Sequence, residues 1–228
     1  MPVRIPSLSE YISLSLTGLP TFTNYTITYW EQVVTDNAGT NRLSYLLQDG
    51  SFAAVHKIAR AGDNVDRLSN NASSQALTAN ASNSAWVMWA LTCAGTGATD
   101  LKLYTWDATD ADGAYESATL TGVGAGSLSA WWLGSNGAFS EYRNARYCFV
   151  KVWDTVLTLS ELQAERTQGK PVKTASVNRY HRLETNSDTT DYSGNGRSLS
   201  FGGSPTTDGT EPVPWEATTA LLFGAAIF

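Results

Sequence analysis

Residues 145–169 read ARYCFVKVWDTVLTLSELQAERTQG, and this stretch decides the fold. Arg146 to Trp153 carries the β-branched and aromatic residues of a strand, which Asp154 interrupts. A short helix follows, and its start is specified twice. Thr158-Leu-Ser-Glu161 is a capping box, in which the Thr158 side chain caps the helix and Glu161, at the third helical position, reaches back to it. Leu157 and Leu162 occupy the two positions of a hydrophobic staple across that cap. Gly169 is expected to end the helix and Pro171 to forbid its continuation.

Outward from this block, alternation with a period of two dominates. Tyr25 to Trp30 alternates bulky and small residues, and Trp86 to Cys93 is apolar on both faces, as a central sandwich strand would be. Leu43 to Gln48 and Ser51 to Ile58 flank Asp49-Gly50, a strong hairpin signal. Leu101 to Trp106 and Leu128 to Leu133 are further strands, each bounded by Gly, Asp or Asn. Ala61 to Ser84 and Asp107 to Gly113 read as loops, Asp191 to Gly196 as a tight turn, and Thr206 to Trp215 as extended and irregular.

Three blocks resemble the laminin-G-like, concanavalin A-like jelly-roll superfamily. Tyr11 to Leu16 with Tyr25 to Trp30 is similar to its first core strands, and Trp86 to Leu91 with Leu101 to Tyr104 to its central pair. Leu133-Gly134 with Ala145 to Leu162 resembles its closing strand and helix. The resemblance implies an all-β chain, a two-sheet antiparallel jelly-roll sandwich with one short helix in its C-terminal half. Asp191 to Gly196 resembles an element that commonly opens such domains, yet here it follows the helix. No function follows from such a fold alone.

Composition bounds the rest. Hydrophobic residues make up 42% of 228, enough for a core, and residues 1–215 are expected to form one sandwich domain. Residues 216–228 read as an apolar tail that docks on a neighbour. The net charge is −6 without a basic cluster, which excludes nucleic acid as a partner, because phosphate binding needs Lys and Arg. The longest apolar run, Ala220 to Phe228, is too short for a membrane span of about 20 residues. Cys93 and Cys148 lie in separate strands, either as a cross-strand disulfide or as two buried thiols.

Enzymatic chemistry finds no foothold. His56 and His181 have no metal-binding spacing, and neither a nucleophile elbow nor a phosphate-binding glycine loop occurs. Glycoside hydrolysis needs two carboxylates facing one bond. Among the superfamily's glucanases they alternate along one strand as Glu-x-Asp-x-x-Glu, a run missing here. Glu161 and Glu165 sit on the helix instead, and Asp110 and Asp112 in a loop.

Binding is the better expectation. Sugars stack on aromatic faces and are held by polar side chains, which makes Trp132, Asn136, Tyr142 and Arg143 the glycan-binding candidates. Successive strand residues point to opposite faces, so only one of Trp131 and Trp132 can face outward. Tyr104, Trp106 and Tyr115 form a second candidate surface. Many laminin-G-like domains hold Ca2+ at the rim, and the resemblance makes Asp188, Asp191 and Asn195 the metal candidates, with Asp107, Asp110 and Asp112 as another acidic set. MPVRIPSLSEY lacks the apolar core of a secretory signal, although the low surface charge suits an extracellular protein. A bacteriophage virion protein (decoration, fibre or tail-associated) is the expectation that reconciles the two, with copies of itself or other virion proteins as partners in a homo-oligomer or larger assembly. The alternative is a carbohydrate-binding lectin or adhesion module of a bacterial extracellular protein, holding cell-surface glycans.

Overall fold

The computed structural model describes residues 1–7, 9–18, 24–35, 42–49, 54–60, 66–69, 73–77, 85–94, 101–107, 116–120, 128–135 and 141–213. Asn136, Asp110, Asp112, Tyr115 and the tail 216–228 lie outside them.

Strands are numbered along the chain. The first sheet runs in the order β10 (Glu116–Leu120), β9 (Leu101–Asp107), β8 (Trp86–Ala94), β3 (Asn24–Thr35), β12 (Asn144–Trp153), β1 (Val3–Ile5), β15 (Thr206–Thr207), and β13 (Val177–His181) also pairs with β12. The second runs β14 (Leu199–Gly202), β2 (Tyr11–Leu14), β11 (Leu128–Leu133), β4 (Arg42–Asp49), β5 (Ala54–Arg60), β6 (Asp66–Ser69), β7 (Ser74–Ala76). The sheets pack face to face as an antiparallel jelly-roll sandwich. Between them lies a core that includes Tyr25, Ile27, Trp89, Leu103, Trp131 and Val150. Within the described residues the alternating and apolar runs of the sequence become strands, and residues 50–53 of the expected hairpin lie outside them. The polar run 61–84 does more than loop: it contributes β6 and the edge strand β7, and the alternation in Asp66–Ser69 is too short to register as a pattern. Val3–Ile5, Glu116–Leu120 and Thr206–Thr207 are likewise too short to stand out.

Strand β12 holds an irregularity on which the rest depends. Cys148 pairs with Trp30 and Lys151 with Thr28, so β12 carries one more residue than β3 across this interval. Phe149 takes up the extra length at φ 54°, a left-handed conformation rare for a bulky residue. The bulge places two consecutive residues, Cys148 and Phe149, outside the sandwich, and returns Val150 to the core. Before it β12 pairs with β1, and after it with β13.

Outside the first sheet the bulge creates a second apolar cluster: Trp30, Met88, Trp106, Cys148, Phe149 and Trp153, covered by Leu157 and Leu162. Helix α1 (Leu159–Glu165) supplies the cover. Its capping box forms as the sequence requires, with the Glu161 N–H donating to Thr158 Oγ1 (3.3 Å) and the Thr158 N–H to Glu161 Oε2 (2.8 Å). Both staple leucines are buried in the cluster.

The helix ends at Glu165 and not at Gly169. Its C-terminal carbonyls are met by the sheet: Lys151 Nζ donates to the Glu165 and Gln168 carbonyls (3.0 and 2.9 Å) and to the Glu165 carboxylate (2.8 Å). That carboxylate also accepts from the Val172 and Lys173 N–H groups (3.1 and 2.6 Å), which turns the chain. Gly169 serves another need, since a Cβ there would stand 2.6 Å from the Phe149 ring. The strap 205–213 completes the cover, with Trp86 Nε1 donating to the Thr210 carbonyl (3.0 Å) and Asp208 bound by Arg146 (2.5 Å) and Arg4 (3.2 Å). Cys93 in the core and Cys148 in the outer cluster are both free thiols.

Candidate functional site

The outer face of the second sheet differs from that of the first. Register pairs Ser200 with Ser13, Ser13 with Trp132, Trp132 with Leu46, Leu46 with Lys57, Lys57 with Ser69, and Ser69 with Ser74. Directly opposed residues share a face, so this is one row across all seven strands. It contains four serines, a tryptophan near its centre and a lysine. Ser74 and Ser200 are exposed, while Ser13, Trp132, Lys57 and Ser69 are half-buried.

Alternation decides the two adjacent tryptophans. Trp131 is buried in the core, with the Arg179 guanidinium 4.8 Å from its ring centroid. Trp132 lies on the outer face, its base against Leu43 and Ala59. Tyr11 meets it edge to face, centroids 6.4 Å apart at 63°. The Tyr11 ring lies across Gly202, where a Cβ would collide with it, so glycine at that position lets the ring lie close against β14. Lys57 pairs with Glu141 (2.6 Å) on the row's other side. Tyr142, half-buried, bridges to Ser135. Sequence marks Tyr11 only as a strand residue, because its place beside Trp132 depends on strand pairing.

Arg143 belongs elsewhere. It lies inside the sandwich, 1% exposed, with Nη1 on Glu31 (2.9 Å) and Nη2 on Asp66 (2.5 Å). Glu31 also accepts from Trp89 Nε1 (2.8 Å) and the Tyr147 hydroxyl (2.7 Å). Burial works to lower the Arg143 pKa, but the two carboxylates outweigh it and hold the group above its ordinary range. Burial and the neighbouring Glu31 both raise the Tyr147 hydroxyl well above its ordinary value. Arg143 therefore ties the two sheets together and offers nothing to a ligand at the surface. Glu31 and Asp66, two carboxylates near one arginine, are sealed from any substrate. The second aromatic surface changes too: Trp106 is fully buried in the outer cluster, and Tyr104 stacks on it at 5.9 Å.

The metal candidates meet in one turn, with the carboxylate oxygens of Asp188 and Asp191 already engaged. Asp191 accepts from the N–H groups of Tyr180, Ser193 (both 3.0 Å) and Arg197 (2.9 Å). Burial alone would raise its pKa, yet these donated bonds hold it below the ordinary range. Asp188 accepts from the Thr190 N–H and the Tyr192 hydroxyl. Asn195 turns its amide nitrogen to the Val177 and Asn178 carbonyls. These residues build the turn and do not fit a Ca2+ cage, which needs six or more free oxygens. Among the described residues no group of three or more His, Cys, Asp or Glu could hold a metal ion, and no helix is long and apolar enough to cross a membrane.

Neither protein-family models nor curated protein sequences match this chain. Solved structures do. A candidate carbohydrate-binding protein from Bacteroides ovatus aligns over 92% of this chain and 61% of its own (TM-score 0.59, 17% identity). The full extracellular region of zebrafish Gpr126/Adgrg6 aligns over 91% of this chain and 26% of its own (TM-score 0.56, 15% identity). A heptameric SAP-like pentraxin from Limulus polyphemus aligns over 89% and 94% (TM-score 0.54, 12% identity). The chain thus spans about three fifths of the Bacteroides protein and about a quarter of the Gpr126 region. At these identities the likeness is one of fold.

Proposed function

We propose that this chain is a non-catalytic carbohydrate-binding β-sandwich module whose binding surface is the outer face of the second sheet. The row Ser200–Ser13–Trp132–Leu46–Lys57–Ser69–Ser74 carries the proposal. An indole flanked by hydroxyls and a cation suits a polyol, whose C–H face stacks and whose hydroxyls exchange hydrogen bonds. The row crosses six inter-strand steps of about 4.8 Å, about 29 Å in all, which favours an extended glycan over a single sugar. The fold shared with a candidate carbohydrate-binding protein supports the reading. The virion reading draws no support from the three structures named above and gives way to this one. Single sites on such a flat face bind weakly and gain from many copies on one surface.

Retardation of the protein in native gels containing neutral polysaccharides tests the proposal. The wild type is expected to be slowed by at least one of them, and Trp132→Ala and Tyr11→Ala to migrate freely while keeping their far-ultraviolet circular dichroism. Retardation that persists in Trp132→Ala, or none across a broad panel, would overturn it.

A further inference from the structure

The cover over the first sheet stops at one corner, and a groove of about 310 Å³ opens there. Thr92 of β8 lies in its lining with Lys102 and Tyr104 of β9, Leu157 just before α1 and Leu159 at its first position. Both walls are held in place. The Thr26 hydroxyl accepts the Leu157 N–H and donates to the Thr155 carbonyl (2.9 Å each), and Tyr104 is stacked on the buried Trp106. Lys102 is exposed, and it is the one Lys or Arg among the described side chains with neither an ion pair nor a hydrogen bond. Glu161, at the same end of α1, is taken up by Thr158 and Lys173.

An uncompensated cation, the hydroxyl-bearing Thr92 and Tyr104 (Thr158 being taken up by Glu161) and an aliphatic wall converge on a space at the small end of ligand sites, which run from about 300 to 1,000 Å³. We propose that this groove binds one acidic sugar of the hexuronate class, separately from the Trp132 face. Its carboxylate pairs with Lys102, its C–H face lies on Leu157 and Leu159, and its hydroxyls meet Thr92 and Tyr104. An alkyl carboxylate would satisfy the charge and the aliphatic wall but leave polar side chains facing methylene groups, which is unfavourable. A neutral sugar would leave Lys102 without a counter-charge.

Saturation-transfer NMR with methyl β-glucuronide, methyl β-glucoside and cyclohexanecarboxylate tests this on the intact chain. The glucuronide is expected to bind and the other two to bind at least about tenfold more weakly, a difference of about 1.4 kcal/mol. Lys102→Glu should abolish glucuronide binding and Lys102→Gln reduce it, whereas Trp132→Ala leaves it unchanged. In the Trp132→Ala chain, equal binding of the glucoside would remove the charge from the recognition, and equal binding of cyclohexanecarboxylate would remove the hydroxyls. Either result overturns the proposal, as does glucuronide binding that survives Lys102→Glu, or its absence in the wild type.

Discussion

The two outer faces of this sandwich come from the same strand alternation and end opposite in character. On the first sheet, Trp30, Met88, Trp106, Phe149 and Trp153 point outward and are almost fully buried beneath α1 and the strap 205–213. On the second, the outward row is mostly serine, with Trp132 half-exposed near its centre. An outward aromatic residue therefore marks a binding surface only where no later segment covers it. Trp106 and Trp132 make the point: both are outward-facing aromatic residues, but only one is available to a ligand.

The contrast can be broken by substitutions, and the largest effect lies under the helix. Glu165→Ala would leave Lys151 buried beside an empty site. Burial lowers the Lys151 pKa and the Glu165 carboxylate opposes that shift, so the loss should cost about 3–5 kcal/mol in urea unfolding. Gly169→Ala comes next, because the added methyl meets the Phe149 ring. Overpacking of about 1–3 kcal/mol is expected, and Phe149→Leu should relieve part of it. Trp132→Ser should cost less stability than either while removing polysaccharide binding. That pairing of small stability loss with full binding loss is the sharpest test of the comparison.

Acid should act on the turn at 188–197, which belongs to neither face. The folded pKa of Asp191 lies below its unfolded value of 3.8, so its contribution is present above pH 3.8 and is lost as pH falls through the lower folded value. Asp191→Asn should flatten the acid limb of a Tm-against-pH curve between pH 5 and 2, both limits taken as about one to two units around that value. The smallest effect is expected from calcium. Excess Ca2+ or a chelator should leave Tm unmoved, and a rise with Ca2+ would reassign the turn as a metal site.

Local signals were the legible ones. Four residues specify the capping box, and the structure forms it as written, because its partners lie within one helical turn. The tight turn was equally readable: Gly194 and Gly196 adopt φ of 84° and 68°. The binding candidates fared differently. Trp132 was legible as one of two alternating tryptophans, but Tyr11 was not, since the two meet only through the pairing of β2 with β11. Arg143 looked like a surface cation, and nothing nearby in sequence announces that Glu31 and Asp66 wait for it inside the sandwich.

The sequence by itself determined the longer strands, the capped start of α1 and the opposite facing of Trp131 and Trp132, because each rests on backbone periodicity or on groups a few residues apart. The tertiary structure alone decided the bulge at Phe149, the role of Gly169, the serine row and the unpaired state of Lys102. These depend on which distant strands become neighbours, and register between strands far apart in the chain is set by packing of the whole sandwich rather than by any local pattern.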